Sequence, residues 1–225
     1  MKQTASRLSS LPYFADLEPQ VLEAIDRIAI RRRYDPGEVI LLEGDPAPGI
    51  YAVEAGWLKA IKVSLEGREQ ILRYLEPGEV FNAIGAFGDL PNSATVVALE
   101  PATVWILERS SFLELLEDYP HVARIIMQNL ARRVVQLVSL VEDLSLRTVE
   151  ARLARYLVEQ AELSLTVPRQ RWATQAEMAA RLGTVLDVLN RAMNRLADEG
   201  LIRVERHQIH ILDPEGLRER ARLQE

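Results

Sequence analysis

Residues 174–212, TQAEMAARLGTVLDVLNRAMNRLADEGLIRVERHQIHIL, decide how the chain is read. Thr174 and Glu177 stand three apart ahead of Met178, Ala179 and Leu182, the pattern of a capping box opening a short helix. Gly183 is placed to end that helix as its C′ residue. Thr184 is expected to cap a second helix, with Asp187 in its first turn and Leu186, Leu189, Met193 and Leu196 as its apolar stripe. Two alternating runs around Glu205-Arg206-His207-Gln208 then predict a β-hairpin. Helix, glycine turn, helix and hairpin in this order are a helix-turn-helix with a wing. The second helix carries Asp187, Asn190 and Arg191 on one side, residue types whose donors and acceptors match base edges in a major groove.

The rest of the chain has a different texture. Residues 17–29 space Leu17, Val21, Leu22, Ile25 and Ile28 as a short amphipathic helix. From about 30 to 107, short apolar or alternating runs are split by Gly, Pro and Asp, which points to a small all-β sandwich or barrel. Pro36-Gly37-Glu38-Val39 returns 41 residues later as Pro77-Gly78-Glu79-Val80, two turn-plus-strand units that suggest a double-sheet jelly roll.

Beyond residue 117 the chain turns helical. Ala123, Met127, Leu130, Val134, Leu137, Val141, Leu144 and Thr148 alternate four and three apart, a heptad seam in a helix ~38 Å long. Val122, Ile125, Ile126, Val135 and Leu140 form a second stripe. One stripe is expected to cover the β domain while the seam, Met127, Leu130, Val134, Leu137, Val141 and Leu144, meets a second copy. A helix lying wholly on its own domain is the alternative, and the narrowness of the seam favours the dimer. Thr148, with Glu150 behind it, is expected to cap the next helix, placing a break near Leu146-Arg147. Two strand-like pieces, SLTVP and QRWAT, follow.

The chain has 225 residues and a formal net charge of −6. Residues 1–147 hold 15 Lys and Arg against 21 Asp and Glu, whereas residues 148–225 hold 12 arginines against 12 acids. The acidity therefore belongs to the first part, and the neutral second part draws its positive charge from arginine alone. There is no cysteine, which excludes disulfides, zinc ribbons and thiolate-held clusters. The absence of a signal-like N-terminus and of any ~20-residue apolar run makes a soluble, cytoplasmic protein without a membrane segment the expectation.

These elements resemble the CRP/FNR family of bacterial transcription regulators over nearly the whole chain. The carriers are the doubled PGEV, GDLPNSATVVAL, the long helix and, above all, TQAEMAARLGTVLDVLNRAMNRLADEGLI. The resemblance implies an α+β architecture: a jelly-roll sensor domain of the cyclic-nucleotide-binding type over 1–117, a dimerisation helix and hinge over 118–147, and a winged helix-turn-helix over 148–225. It also implies a homodimer on a two-fold symmetric operator in double-stranded DNA, activating or repressing through contact with RNA polymerase.

In the family register, the arginine, glutamate and arginine of the recognition helix fall on Leu186, Asp187 and Arg191. Arg191 is suited to guanine O6 and N7, Asp187 to cytosine N4 and Asn190 to adenine. Leu186 gives up one guanine contact, so the operator should differ there from the family's common half-site. An i,i+4 salt bridge between Asp187 and Arg191 is the plainer alternative for that pair. Thr174 and Gln175 match family positions that touch phosphate, and Thr184 joins them at the helix start.

The effector cassette departs from the cyclic-AMP binders. Asn82-Ala83 and Asn92-Ser93-Ala94-Thr95 stand in that register, with alanine for the ribose-binding glutamate and asparagine for the phosphate-binding arginine. A buried phosphate without a cation is costly, so cyclic nucleotide is not expected. Arg73, or the long-helix arginines Arg124 and Arg132, are candidate cations for an organic acid, with Asn82, Ala83, Asn92, Ser93 and Thr95 lining the pocket. Regulation without an effector is the other open option. His121, His207 and His210 all lie outside the barrel, so neither a metal nor a cofactor is expected and no catalytic constellation is present. A reading from another class, a ligand- or metal-binding barrel whose helical tail only assembles it, is opposed by the histidine-free barrel and the complete wing.

Overall fold

Two type II turns shape the first half of the chain. Asp35-Pro36-Gly37-Glu38 and Glu76-Pro77-Gly78-Glu79 each place glycine at a positive φ, +85° and +96°, where a side chain is disfavoured. Each turn closes with the Glu N–H on the carbonyl of the residue before Pro. Each glutamate also accepts that residue's own N–H on its carboxylate, Glu38 from Asp35 at 2.5 Å and Glu79 from Glu76 at 3.0 Å. The glycine N–H of each turn then reaches a neighbouring strand, Gly37 to Ala98 and Gly78 to Val53. The repeated tetrapeptide is thus one structural device used twice.

The computed structural model describes residues 17–161, 166–168, 174–205 and 208–222. Helix α1 (Pro19–Ile28) is followed by strands β1 (Ala29–Tyr34), β2 (Val39–Leu41), β3 (Gly49–Ala55), β4 (Leu58–Val63), β5 (Glu69–Leu75) and β6 (Val80–Phe81). Helix α2 (Ala83–Gly88), strands β7 (Thr95–Ala98) and β8 (Ala102–Glu108), and helix α3 (Arg109–Asp118) complete this part. The strands form two antiparallel four-stranded sheets, β1-β8-β3-β6 and β2-β7-β4-β5, as the jelly-roll expectation requires.

Period-2 alternation explains why β3 and β8 are buried on both faces. Tyr51, Val53, Ala102 and Val104 point into the barrel with Tyr34, Leu58, Leu75 and Phe81. Ile50, Ala52, Trp105 and Leu107 point the other way, onto Val21, Ile25, Phe112, Val122 and Ile126 of the surrounding helices. Each such aliphatic side chain contributes ~1.5–3 kcal/mol by leaving water.

Helix α4 (Pro120–Leu146) is one unbroken helix of 27 residues, and α5 (Val149–Ala161) starts after the expected break. Thr148 caps α5, its Oγ1 accepting the Ala151 N–H at 3.1 Å. Strand β9 (Thr166–Pro168), helices α6 (Gln175–Arg181) and α7 (Leu186–Asp198), strands β10 (Ile202–Val204) and β11 (Gln208–Ile211), and helix α8 (Pro214–Ala221) follow. The QRWAT strand lies mostly outside the described residues. The wing is a three-stranded sheet, β10-β11-β9.

Contacts divide the chain into two units: residues through Lys62 with Leu72–Val135, and Val63–Ile71 with Gln136 onward. The cut falls inside α4. In the second unit, Leu153 and Leu157 of α5 pack with Leu189, Met193 and Leu196 of α7, Ile209 of the wing and Leu217 of α8. Charges tie the same pieces together. Glu150, its side chain 12% exposed, takes Arg220 and lies 3.6 Å from Arg195, while Arg220 also holds Glu199. Arg147 reaches Glu142 at 2.8 Å, Asp143 at 3.0 Å and the Ala221 carbonyl at 2.6 Å. Replacing Glu150 by Ala removes the most buried carboxylate of this group. The variant should lose about 1.5–3 kcal/mol, read as a lowered midpoint in urea unfolding of the full-length protein.

Candidate nucleic-acid interface

The recognition surface is built by the way α6 ends. Thr174 Oγ1 accepts the Glu177 N–H at 3.2 Å and caps the start of α6, as the capping box predicts. At the other end, Gly183 takes φ +64°. Its N–H bonds the Ala180 carbonyl and the Thr184 N–H bonds the Ala179 carbonyl, the two bonds of a Schellman motif. Thr184 is therefore the residue that closes α6, which corrects the expectation that it caps α7. The cap position of α7 falls on Val185, extended at φ −104° and ψ 159°, and no side chain satisfies the first turn. Gly200 (φ +73°) ends α7 by the same motif, with Gly200 bonded to Ala197 and Leu201 to Leu196.

Helix α7 is two-faced. Leu189, Ala192, Met193 and Leu196 are buried against α5 and the wing. Asp187 and Arg191 are exposed, Asn190 is half-buried, and Asn194 and Arg195 extend the exposed face. Leu186, expected in the apolar stripe, is instead 42% exposed. It sits in the first turn, ahead of the point where α5 covers the helix, and Ala192 supplies the buried position in its place. Neither Asp187 nor Arg191 is in an ion pair among the described residues, so the salt bridge weighed for them is not formed. Thr174 is exposed, and Gln175 and Thr184 are half-buried. Val185 and Asn194 join this surface without having been singled out from sequence. An N-cap without a polar side chain leaves no signal for the first, and the second shows only once the buried side of α7 is known.

The wing is braced at Glu205. Its carboxylate accepts Gln208 Nε2 at 2.9 Å and faces His210 Nε2 at 3.2 Å, and these contacts hold its pKa below the usual carboxylate value. His207 lies outside the described residues.

In the barrel, most expected pocket residues turn toward backbone. Asn82 sits in the left-handed region (φ +65°) and donates Nδ2 to the Gly49 carbonyl at 3.0 Å, and Ala83 begins α2. Asn92 is 3% exposed and donates Nδ2 to the Leu42 carbonyl at 3.0 Å. Thr95 Oγ1 accepts the Glu43 N–H at 3.1 Å, so Asn92 and Thr95 clasp the same segment after β2. Ser93 is exposed, as is Arg124 on α4, and Arg73 lies on β5 beside Val80.

Along α4, Met127 (60% exposed), Val134 (59%) and Val141 (62%) lie open with Leu144, whereas Leu130 and Leu137 are half-buried. Val122 and Ile126 cover the barrel as expected, with Ile125 packed alongside. Val135, assigned to that covering stripe, is instead 67% exposed and joins Val138 on the open side. It lies beyond the stretch of α4 that the barrel core reaches.

A jelly-roll domain, a long helix bearing an open apolar stripe and a winged helix-turn-helix together define a DNA-binding regulator. Comparison with known proteins agrees. Residues 31–119 match the cyclic nucleotide-binding domain and residues 151–220 the Crp-like helix-turn-helix domain. The chain is 30% identical to the cyclic AMP receptor protein of Thermus thermophilus, over 86% of this chain and 88% of that protein. It is 31% identical to the transcriptional regulator SdrP of the same organism, over 84% and 92%. The crystal structure of a further CRP-family transcriptional regulator from Thermus thermophilus superposes with a TM-score of 0.67 at 26% identity, covering 84% of this chain and 96% of that one. The chain belongs to the CRP/FNR family of transcriptional regulators.

Gly183 is the residue on which the interface geometry turns. A Cβ there would lie 2.4 Å from Leu144 Cδ2, besides the cost of a left-handed backbone. Gly183→Ala should lose at least about 1–2 kcal/mol and weaken operator binding, checked by urea unfolding and gel shift on the same preparation.

Proposed function

We propose that the chain works as a homodimer. Each copy sets α7 into the major groove of one half of a two-fold symmetric operator, with the half-sites about one helical turn apart. Arg191 reads guanine, Asp187 and Asn190 read neighbouring base edges, and Leu186 packs against a base without donating a hydrogen bond. Thr174, Gln175 and Thr184 face phosphate, as do the uncapped first-turn N–H groups of α7. The single observation that carries this reading is an exposed Arg191, without an ion-pair partner among the described residues, on a helix whose opposite side is locked into the core. The promoter-bound dimer contacts RNA polymerase, as family members do, and acts in the cytoplasm. No helix among the described residues is long and apolar enough to cross a membrane.

The open stripe of α4 supports the homodimer. A solvent-facing row of Met127, Val134, Val138 and Val141 is stabilised by burial against the same row of a second copy. One relative is named a cyclic AMP receptor protein. Cyclic AMP itself is not proposed for this chain, because Ala83 and Asn92 replace the two charged groups that would hold it. The regulator acts either without an effector or with a different one.

Selection of bound duplexes from a random pool should recover a palindrome, and recovery of none would overturn the reading. Arg191→Ala should fold normally and lose preference at one base pair per half-site, at about 1–3 kcal/mol. Unchanged sequence preference in that variant would refute its role. In a separate measurement, the double variant Val134→Glu, Val141→Glu should sediment as a monomer and lose tight operator binding while each head stays folded. A dimer that survives both charges would place the interface elsewhere.

A further inference from the structure

The wing gathers its donors on the side away from the core. Ile202, Ile209 and Ile211 are buried with side chains of α5, α7 and α8. Side chains alternate along a strand, so Arg203 and His210, opposite each other on β10 and β11, face outward. Both are aimed at one carboxylate. Glu205 Oε1 lies 3.2 Å from His210 Nε2 and 3.5 Å from Arg203 Nε, while Oε2 accepts Gln208 Nε2 at 2.9 Å. The Gln208 and His210 contacts keep Glu205 below the usual carboxylate pKa, so it carries its charge at neutral pH. Arg203 and Glu205 are both open to solvent, and ion pairs this exposed add little to stability. What the cluster fixes is charge. Three donors from β10 and β11 converge on a single oxyanion, an arrangement that fits a phosphate oxygen as well as a carboxylate.

We propose that this face of the wing is a site for a DNA backbone phosphate and that Glu205 is its internal competitor. Arg203, His210 and Gln208 take a phosphate of the duplex that α7 engages, and Glu205 swings aside as it enters. The wing shares its core with Leu189, Met193 and Leu196 of α7, so a duplex seated on α7 meets the wing in one fixed orientation. The inference rests on the reading of the chain as a DNA-binding regulator. It adds a contact that α7 does not make, and it sets how firmly the protein holds DNA of any sequence. Sequence-independent binding is driven by the release of counterions from phosphate. A carboxylate already resting on the wing's donors lowers the number of counterions that an arriving protein displaces. Glu205 thus limits retention on DNA that lacks an operator.

The test measures binding of the full-length protein to a random-sequence duplex over a range of salt concentrations. Glu205→Gln, Arg203→Ala and the double variant are compared with the wild type. Glu205→Gln should bind at least about threefold more tightly at low salt, with a log–log salt slope steeper by about 0.9, the value of one further phosphate. Arg203→Ala should bind more weakly and flatten the slope by about one. In the double variant the gain from Glu205→Gln should largely vanish, because the cation it frees is absent. Urea midpoints of all three should match the wild type. Unchanged affinity and slope in Glu205→Gln would overturn the proposal, and so would a gain that persists without Arg203. Where Glu205→Gln lowers the urea midpoint, Arg203→Ala decides: an unchanged slope there overturns the proposal, and a slope flatter by about one upholds it. The two readings fail separately. A wild type that binds neither the random duplex nor any duplex selected from a pool sinks the regulator assignment, whereas a wild type that binds DNA just as Glu205→Gln does sinks the wing site alone.

Discussion

The packing of Leu189, Met193 and Leu196 against Leu153 and Leu157 is the contact on which the rest of this protein depends. A helix that reads DNA must be bare on one side, and a bare thirteen-residue helix is not stable alone in water. Its order has to come from the other side. Here the buried row does that, and two Schellman motifs fix where the helix begins and ends. Asp187, Arg191 and Asn194 therefore stand exposed, with the half-buried Asn190 beside them, and neither Asp187 nor Arg191 has an ion-pair partner among the described residues. Arg147 and Glu150 extend the same locking from α4 and α5 to α8.

The barrel shows a parallel reuse of parts. One tetrapeptide turn is used twice, and each copy clips a neighbouring strand through its glycine N–H. Asn82, Asn92 and Thr95, expected to line a pocket, instead bond the backbone of neighbouring segments.

An acidic chain that binds DNA raises no conflict once the charge is placed. The excess of acids lies before residue 148, and the segment that carries α7 and the wing is neutral, with arginine as its cation. Phosphate attraction is local over about a Debye length, so the charge that matters most to groove contact is that of the segment carrying α7. In the proposed homodimer, affinity is expected from two heads acting together.

Periodicity and turn chemistry made much of this legible in the sequence alone. The jelly roll, the caps at Thr148 and Thr174, the turn at Gly183, the wing and the separate covering residues Val122 and Ile126 all follow from local preferences that the fold does not oppose. Tertiary structure alone decided the rest. Thr184 closes α6 and does not open α7, because its N–H is claimed by Ala179, a carbonyl five residues back. Leu186 and Val135 are exposed although they continue apolar stripes. Asn92, expected to line a pocket, is 3% exposed and holds the Leu42 carbonyl. Spacing tells which residues share a face. Only the packed neighbours determine whether that face meets protein, solvent or a ligand.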